Sequence, residues 1–296
     1  ELVDEEKTGM ELSLQRAANQ VVASRIAAYL TPAGAYAEVG GLPFHDFLSA
    51  FKENFDADHA KMQAAFARIL PQIFNRNDLI LSVTAPASMY DETAAQLAAF
   101  RDTLSAAVFP SAPYTWNIRA RNEGLTTQSR VQYVAKGANF LKLGYRYTGT
   151  MRVLETLLRY DYFWTRIRVQ GGAYGAMTQF NRNGFMVFSS YRDPNLAETL
   201  DVVDETADYV RTFDVSDREM DKFIIGTMSG VDAPMTPQMK GDIAATFHLR
   251  GITQEDRQRA RDEILTAQQA DIRALAPLIA DAMQANVRCV LGGEEK

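Results

Sequence analysis

One cysteine, Cys289, and three histidines, His45, His59 and His248, are all that 296 residues supply of the softer metal-binding side chains. A lone cysteine forms no internal disulfide, so a reducing compartment, cytoplasm or an organelle matrix, is expected rather than secretion. No two histidines stand three to five residues apart, which excludes local zinc motifs. His45 and His59 have Asp46, Asp56 and Asp58 nearby, but a solvated helix face accounts for all five. The chain also lacks Gly-x-Gly-x-x-Gly, a Walker loop and a Gly-x-Ser-x-Gly elbow, so nucleotide and serine-hydrolase readings lose their main support. No apolar run reaches roughly 18 residues, the length that marks a membrane span. The acidic, polar start from Glu1 to Gly9 is unlike a signal peptide, and the absence of an initiator methionine suits a processed product or a piece of a longer polypeptide. An excess of one charge sign is also missing. Thirty-one Lys and Arg against 37 Asp and Glu leave a net charge of −6, with no global field for nucleic acid or anionic lipid.

What is present is ordinary globular material: 47% hydrophobic and 23% charged residues, enough for a sizeable core in one large domain or two modest ones. From Met10 to Leu30 the positions Leu14, Ala17, Ala18, Val21, Val22, Arg25, Ile26 and Tyr29 follow helical spacing, ending near Thr31 where Pro32 and Gly34 intervene. Phe44 to Phe55 forms a second helix, and Asp56 is expected to cap a third running to about Phe74. The polar cluster Asn75 to Asp78 is followed by the apolar run Leu79 to Val83, expected to be a strand opening a new domain. Glu92 to Val108 reads as a helix. Ser129 to Tyr147 reads as strands separated by a turn at Gly137. Val153, Leu157, Tyr160, Trp164 and Ile167 step as the buried stripe of a long helix that stops at Gly171 and Gly172. Two β segments follow, Ala173 to Phe180 and Phe185 to Tyr191, with a hairpin turn between them. Helices resume near Asn195 and after Ser216, which opens a Ser-x-x-Glu capping box, and again from Thr253 before a last strand over Val287 to Leu291. The fold class expected is α+β, an antiparallel-type sheet layered with helices over residues 76–296, preceded by a helical segment over residues 1–75.

The segment from Arg166 to Gly175 stands out. A helix ends in two glycines and a strand begins at once, with Tyr174 between the small residues Ala173 and Gly175. A helix stop with a packing tyrosine explains it, and a helix-end arginine has a dipole reason to be there. A functional site is the alternative, which the residues alone favour less.

The stretch Ile167-Arg168-Val169-Gln170-Gly171-Gly172-Ala173-Tyr174-Gly175 resembles a segment of the presequence-protease branch of the pitrilysin and insulinase family, the inverted zincin metallopeptidases. Three further stretches agree in position and character: Glu53-Asn54-Phe55 leading to Ile73 through Ile80, Tyr133 to Phe140, and Phe185 to Pro194. The resemblance implies a zinc peptidase of two halves, each a pair of similar α+β domains, closing around an unfolded peptide. It places the zinc ligands and the glutamate base in a His-x-x-Glu-His motif of the first domain, which this sequence does not contain. Residues 1–75 then correspond to the tail of the third domain and residues 76–296 to the fourth. Zinc would belong to an N-terminal half on the same polypeptide or on a partner subunit, and to no residue of this chain. The resemblance assigns Arg168 and Tyr174 to the active site, with Gly171, Gly172, Ala173 and Gly175 beside the substrate. A noncatalytic assembly module of the same family is the alternative. An unrelated α+β packing domain is a third reading, favoured if Tyr174 is buried against core residues.

Overall fold

The computed structural model describes residues 1–77, 79–111 and 113–293. Its centre is a five-stranded sheet of β1 (Glu123–Thr127), β2 (Tyr133–Asn139), β3 (Gly175–Phe180), β4 (Phe185–Tyr191) and β5 (Val287–Gly293), in the order β1-β5-β2-β4-β3. All neighbours are antiparallel except β1 and β5, which are parallel. The fold is therefore α+β as expected, with a mixed sheet.

Alternation along the strands divides the core in two. Ala138, Phe140, Met186 and Phe188 face a large cluster with the helix Thr150–Leu157, its continuation, and the C-terminal helices up to Ala276–Gln284. Tyr133, Ala135, Phe185, Val187, Val287 and Cys289 face the opposite way, where the helix Ala18–Leu30 presses Ala18, Val22 and Ile26 onto them. Both faces being covered, every residue of β2 is buried.

Gly137 is not a turn, as the sequence suggested, but an interior position of β2 beneath that helix. A Cβ there would stand 3.1 Å from Ile26 Cγ2 and only 2.3 Å from the Met186 carbonyl oxygen. Glycine is what lets the helix approach the sheet.

Contacts do not divide the chain into consecutive segments near residue 75. One compact unit joins residues 1–48, 116–232 and 257–296; the other joins residues 49–115 and 233–256. The physical reason is the second core: residues 18–30 cover a sheet face that would otherwise be bare. The second unit holds the helices Phe55–Ile73, Tyr90–Asp102 and Pro237–Leu249, none of which buries a residue fully. Among its described residues Phe66, Ile69, Leu70, Ile73 and Phe74 stay exposed.

Several local expectations are corrected. The run Leu79 to Val83 forms no strand: among the described residues it has no partner strand, and an unpaired strand has nowhere to place its backbone donors. Asp78, the last residue of the polar cluster before it, lies outside the described residues. The first helix breaks at Ala17, and Asp56 sits in the first turn of Phe55–Ile73 rather than capping it. The Ser216 capping box and the final strand are as the sequence indicated.

Candidate active site

The helix that starts at Thr150 does not hold its α-helical phase. Beyond Leu157 it widens into π turns over Leu158–Tyr162 and Trp164–Gln170, a feature common at functional sites. The widening moves the buried stripe to Leu158, Tyr162, Phe163 and Ile167. Tyr160 and Trp164, expected inside, are turned out and are 59% and 42% exposed. Trp164 then lies one turn before Arg168, whose guanidinium carbon stands 4.1 Å from the indole centre. That stacking restrains an arginine that pairs with no carboxylate among the described residues. Its neighbour Arg166 is committed elsewhere, to Glu205 at 2.9 Å.

The chain reverses at Gly171 and Gly172. Gly172 has φ of +80°, a conformation that disfavours any side chain, and a Cβ on Gly171 would meet the Ile167 carbonyl oxygen at 2.6 Å. Both glycines are thus explained by the reversal itself. Ala173 is 4% exposed and packs into the core, so its side chain faces no open site. At Gly175 an added Cβ would meet nothing, which leaves open space beside Tyr174.

Tyr174 is 64% exposed, so it is not a core packing tyrosine. Its ring meets Tyr191 edge-on at 5.6 Å, and the Arg168 guanidinium lies 5.5 Å from its centre. Tyr174 N–H donates to Tyr191 O at 3.0 Å, although Gly175 is already the residue paired with Tyr191. Two residues opposite one make a bulge at the strand's entry, and Arg192 just across from it takes φ of +50°. Bulges re-aim side chains at sheet rims. The hydroxyl of Tyr174 has no hydrogen-bond partner among the described residues.

A second loop pins this corner. Asp193 is fully buried; its carboxylate accepts from Asn195 N–H at 2.9 Å and from the Thr199 hydroxyl at 2.7 Å. Asn195 Nδ2 in turn donates to Gly171 O at 2.5 Å. The sequence reading singled out Arg168 and Tyr174 but missed Trp164, Tyr191 and Asn195 as their supports. Trp164 at four residues before Arg168 was the available signal; the other two act through tertiary contact.

At the other end of β3, by Phe180, Glu155 is a carboxylate drawn largely out of water. It accepts from Phe180 N–H and pairs with Arg152 at 3.2 Å, while Tyr147 lies beside it with Arg182 over the Tyr147 ring. Burial pushes its pKa up to about 7, against the hydrogen bond from Phe180 and the charge of Arg152, which pull it down. A raised carboxyl pKa means that the folded chain holds the proton more tightly than the unfolded one. The contribution is therefore fully present below the ordinary carboxyl range and is lost as pH rises to about 7. Glu155→Gln keeps an acceptor for Phe180 and should flatten that slope, leaving the variant more stable than the parent at pH 8 by on the order of 3 kcal/mol. Urea unfolding of both proteins between pH 5 and pH 8 checks this; parallel profiles refute it.

Among the described residues no group of three or more His, Cys, Asp or Glu could hold a metal ion. His45 contacts Glu11 at 3.2 Å and Asp46 at 3.4 Å, and His59 bonds the Phe55 carbonyl while stacking on its ring. No helix among the described residues is long and apolar enough to cross a membrane.

Comparison with known proteins shows the family to which the chain belongs. Residues 122–291 match the family described as the PreP C-terminal domain. HypA of Clostridium perfringens is 34% identical over 297 residues, which span 100% of this chain and 30% of that protein. Presequence protease 1 of Arabidopsis thaliana is 34% identical over 287 residues, 94% of this chain and 26% of that protein. A solved structure described as the peptidase M16 inactive domain from Pseudomonas fluorescens gives a TM-score of 0.48 at 13% identity, over 71% of this chain and 51% of that one. The chain belongs to the family of PreP C-terminal domains, whose model matches more than half of it. It spans less than a third of the length of these two relatives.

Proposed function

We propose that this chain is the C-terminal, substrate-facing part of a zinc endopeptidase that degrades short unfolded peptides. Arg168 and Tyr174 act on the reacting peptide, and the zinc is held by an N-terminal half outside these residues. The observation that carries this reading is the pair itself: an exposed phenol hydroxyl and an arginine without a carboxylate partner, side by side, each held by a neighbouring ring. Addition of water to a peptide carbonyl places negative charge on its oxygen. A phenol and a guanidinium are hydrogen-bond donors suited to that charge, and both are already oriented before substrate arrives. The space beside Gly175 admits a chain next to them.

Zinc does not fit the described residues of this chain, so its ligands and any base belong to the other half. The exposed Phe66, Ile69, Leu70, Ile73 and Phe74 support a need for such a partner, since apolar surface of this kind on a helical unit marks an interaction face. The 296-residue chain alone is expected to bind no stoichiometric zinc and to cleave no peptide. Mixed with its zinc-bearing half, it should restore cleavage of an unfolded peptide that a chelator abolishes. Metal analysis and a peptide assay decide it: one tightly held zinc per isolated chain, or full activity of the other half without this chain, defeats the proposal.

A further inference from the structure

The sheet ends at β3, and the outer edge of β3 begins next to Tyr174. Asn181 N–H donates to Phe185 O at 2.8 Å, which fixes the parity of the hairpin. Alternate residues of β3, namely Gly175, Met177 and Gln179, therefore exchange their bonds with β4, while Ala176, Thr178 and Phe180 direct theirs outward. The Phe180 N–H obeys this parity, since it leaves the sheet to reach Glu155. No backbone or side-chain partner meets the outward groups of Ala176 and Thr178 among the described residues. The Thr178 hydroxyl is itself buried without a partner, and the two residues are half-buried rather than fully solvated. Exposed edges of this kind are normally blocked by a charge, a proline or a covering element. Here Glu155 blocks only the far end.

We propose that the open edge at Ala176 and Thr178 is a strand-addition site for an extended peptide backbone, which it aligns beside Arg168 and Tyr174. The inference rests on the peptidase reading above and specifies how that site grips its substrate. Donors and acceptors alternating along one edge match the backbone of another extended chain and little else, irrespective of side chains. Such recognition suits an enzyme for unfolded peptides, because a folded protein offers no free backbone to pair. The position is also productive: the edge starts two residues after Tyr174, so a peptide paired with Ala176 and Thr178 continues past the phenol and guanidinium. The opposite edge of the sheet, β1, lies four strands away and shares no part of this corner. Gly175, with no obstruction at its Cβ position, leaves the passage between edge and tyrosine clear.

The test uses the full 296-residue chain and a capped, fluorescent, proline-free peptide of about a dozen Thr, Ser and Val residues. Amide exchange followed residue by residue should show Ala176 and Thr178 slowing when the peptide is added, while Met177 and Gln179, already paired inward, hardly change. Ala176→Pro removes only an outward N–H at an edge position, where proline is tolerated, and should weaken peptide binding about tenfold. Gln179→Ala, which leaves the backbone as it is, should bind as the parent does. Unchanged exchange at Ala176 and Thr178 with peptide bound, undiminished binding by a folded Ala176→Pro, or no binding at all overturns the proposal. So does protection that rises with protein concentration in the absence of peptide, which would assign the edge to a second copy of the chain. Loss of turnover on removing the Tyr174 hydroxyl, with no exchange change at the edge, would leave the active-site reading standing and refute the strand-addition site alone.

Discussion

Tyr174→Phe, placed in the enzyme completed by its zinc-bearing half, should lower turnover by about a hundredfold to a thousandfold with the fold intact. The substitution keeps the ring, and so keeps the edge contact with Tyr191 and the position under Arg168. Only the hydroxyl is lost, and among the described residues it has no partner to leave unsatisfied. Stability should therefore be unchanged, and a loss of kcat would report a bond made to the substrate as its carbonyl oxygen takes on charge. A tyrosine that only packs would also leave stability nearly unchanged at 64% exposure, and it would leave turnover unchanged as well, so turnover separates the two readings. Full turnover in the phenylalanine variant removes Tyr174 from the mechanism.

Arg168→Ala should lower turnover in the same enzyme, and the geometry removes the obvious rescue. Arg166, two residues before, is paired with Glu205 at 2.9 Å and stands over Tyr162 instead. Lysine at position 168 would restore charge but not the planar stacking on Trp164 that sets the direction of the guanidinium, so it should rescue poorly. A lysine variant as active as the parent would reduce the role of Arg168 to its charge.

The parts of this molecule legible in its sequence are those written locally. The hairpin of β3 and β4 is announced by two β segments around Asn181 to Gly184, and the helix stop at Gly171 and Gly172 by the glycines themselves. Arg168 and Tyr174 could be proposed together from sequence because one short motif carries both. The unreadable parts depend on distant partners. Leu79 to Val83 has the composition of a strand, yet composition cannot supply the neighbouring strand that it lacks here. Gly137 looked like a turn because its purpose lies in Ile26, more than a hundred residues earlier. The π turns after Leu157 shift every later side chain by a fraction of a turn, so counting by three and four placed Trp164 inside when it stands outside carrying Arg168. Arg25 was visible as an arginine inside the apolar stripe Val22, Ile26, Tyr29. A charge in such a stripe demands a partner, but nothing nearby in sequence identifies Glu123, which lies 98 residues on.

Arg25→Met should destabilise the chain by about 3 to 5 kcal/mol near neutral pH, and the loss should shrink in acid. Arg25 donates to Glu123 through Nε at 2.7 Å and through Nη2 at 2.6 Å, and to Glu38 at 3.0 Å. Tyr29 donates to the same Glu123 carboxylate. These bonds tie the helix Ala18–Leu30 to β1 and to the helix Pro32–Glu38, and the arginine side chain is only 9% exposed. The hydrogen bonds to Glu123 hold the Arg25 proton more tightly than usual in spite of burial. Burial raises the Glu123 carboxyl, but the bonds from Arg25 and Tyr29 outweigh it and hold the group below its ordinary value. Glu123 therefore stabilises the parent above the ordinary carboxyl range, and that contribution fades as pH falls through its lowered pKa. Methionine fills the space of the arginine stem and takes away the charge, leaving the largely buried carboxylates of Glu123 and Glu38 without their shared partner. Glu123, still partly buried but without the bonds from Arg25 that lower its pKa, will then take up a proton more readily, so acid relieves the variant while it weakens the parent. Urea unfolding of parent and variant at pH 7.5 and pH 4.5 should give a difference that falls by at least half between the two. An equal difference at both values would mean that Arg25 serves the core through the packing of its stem rather than through its charge.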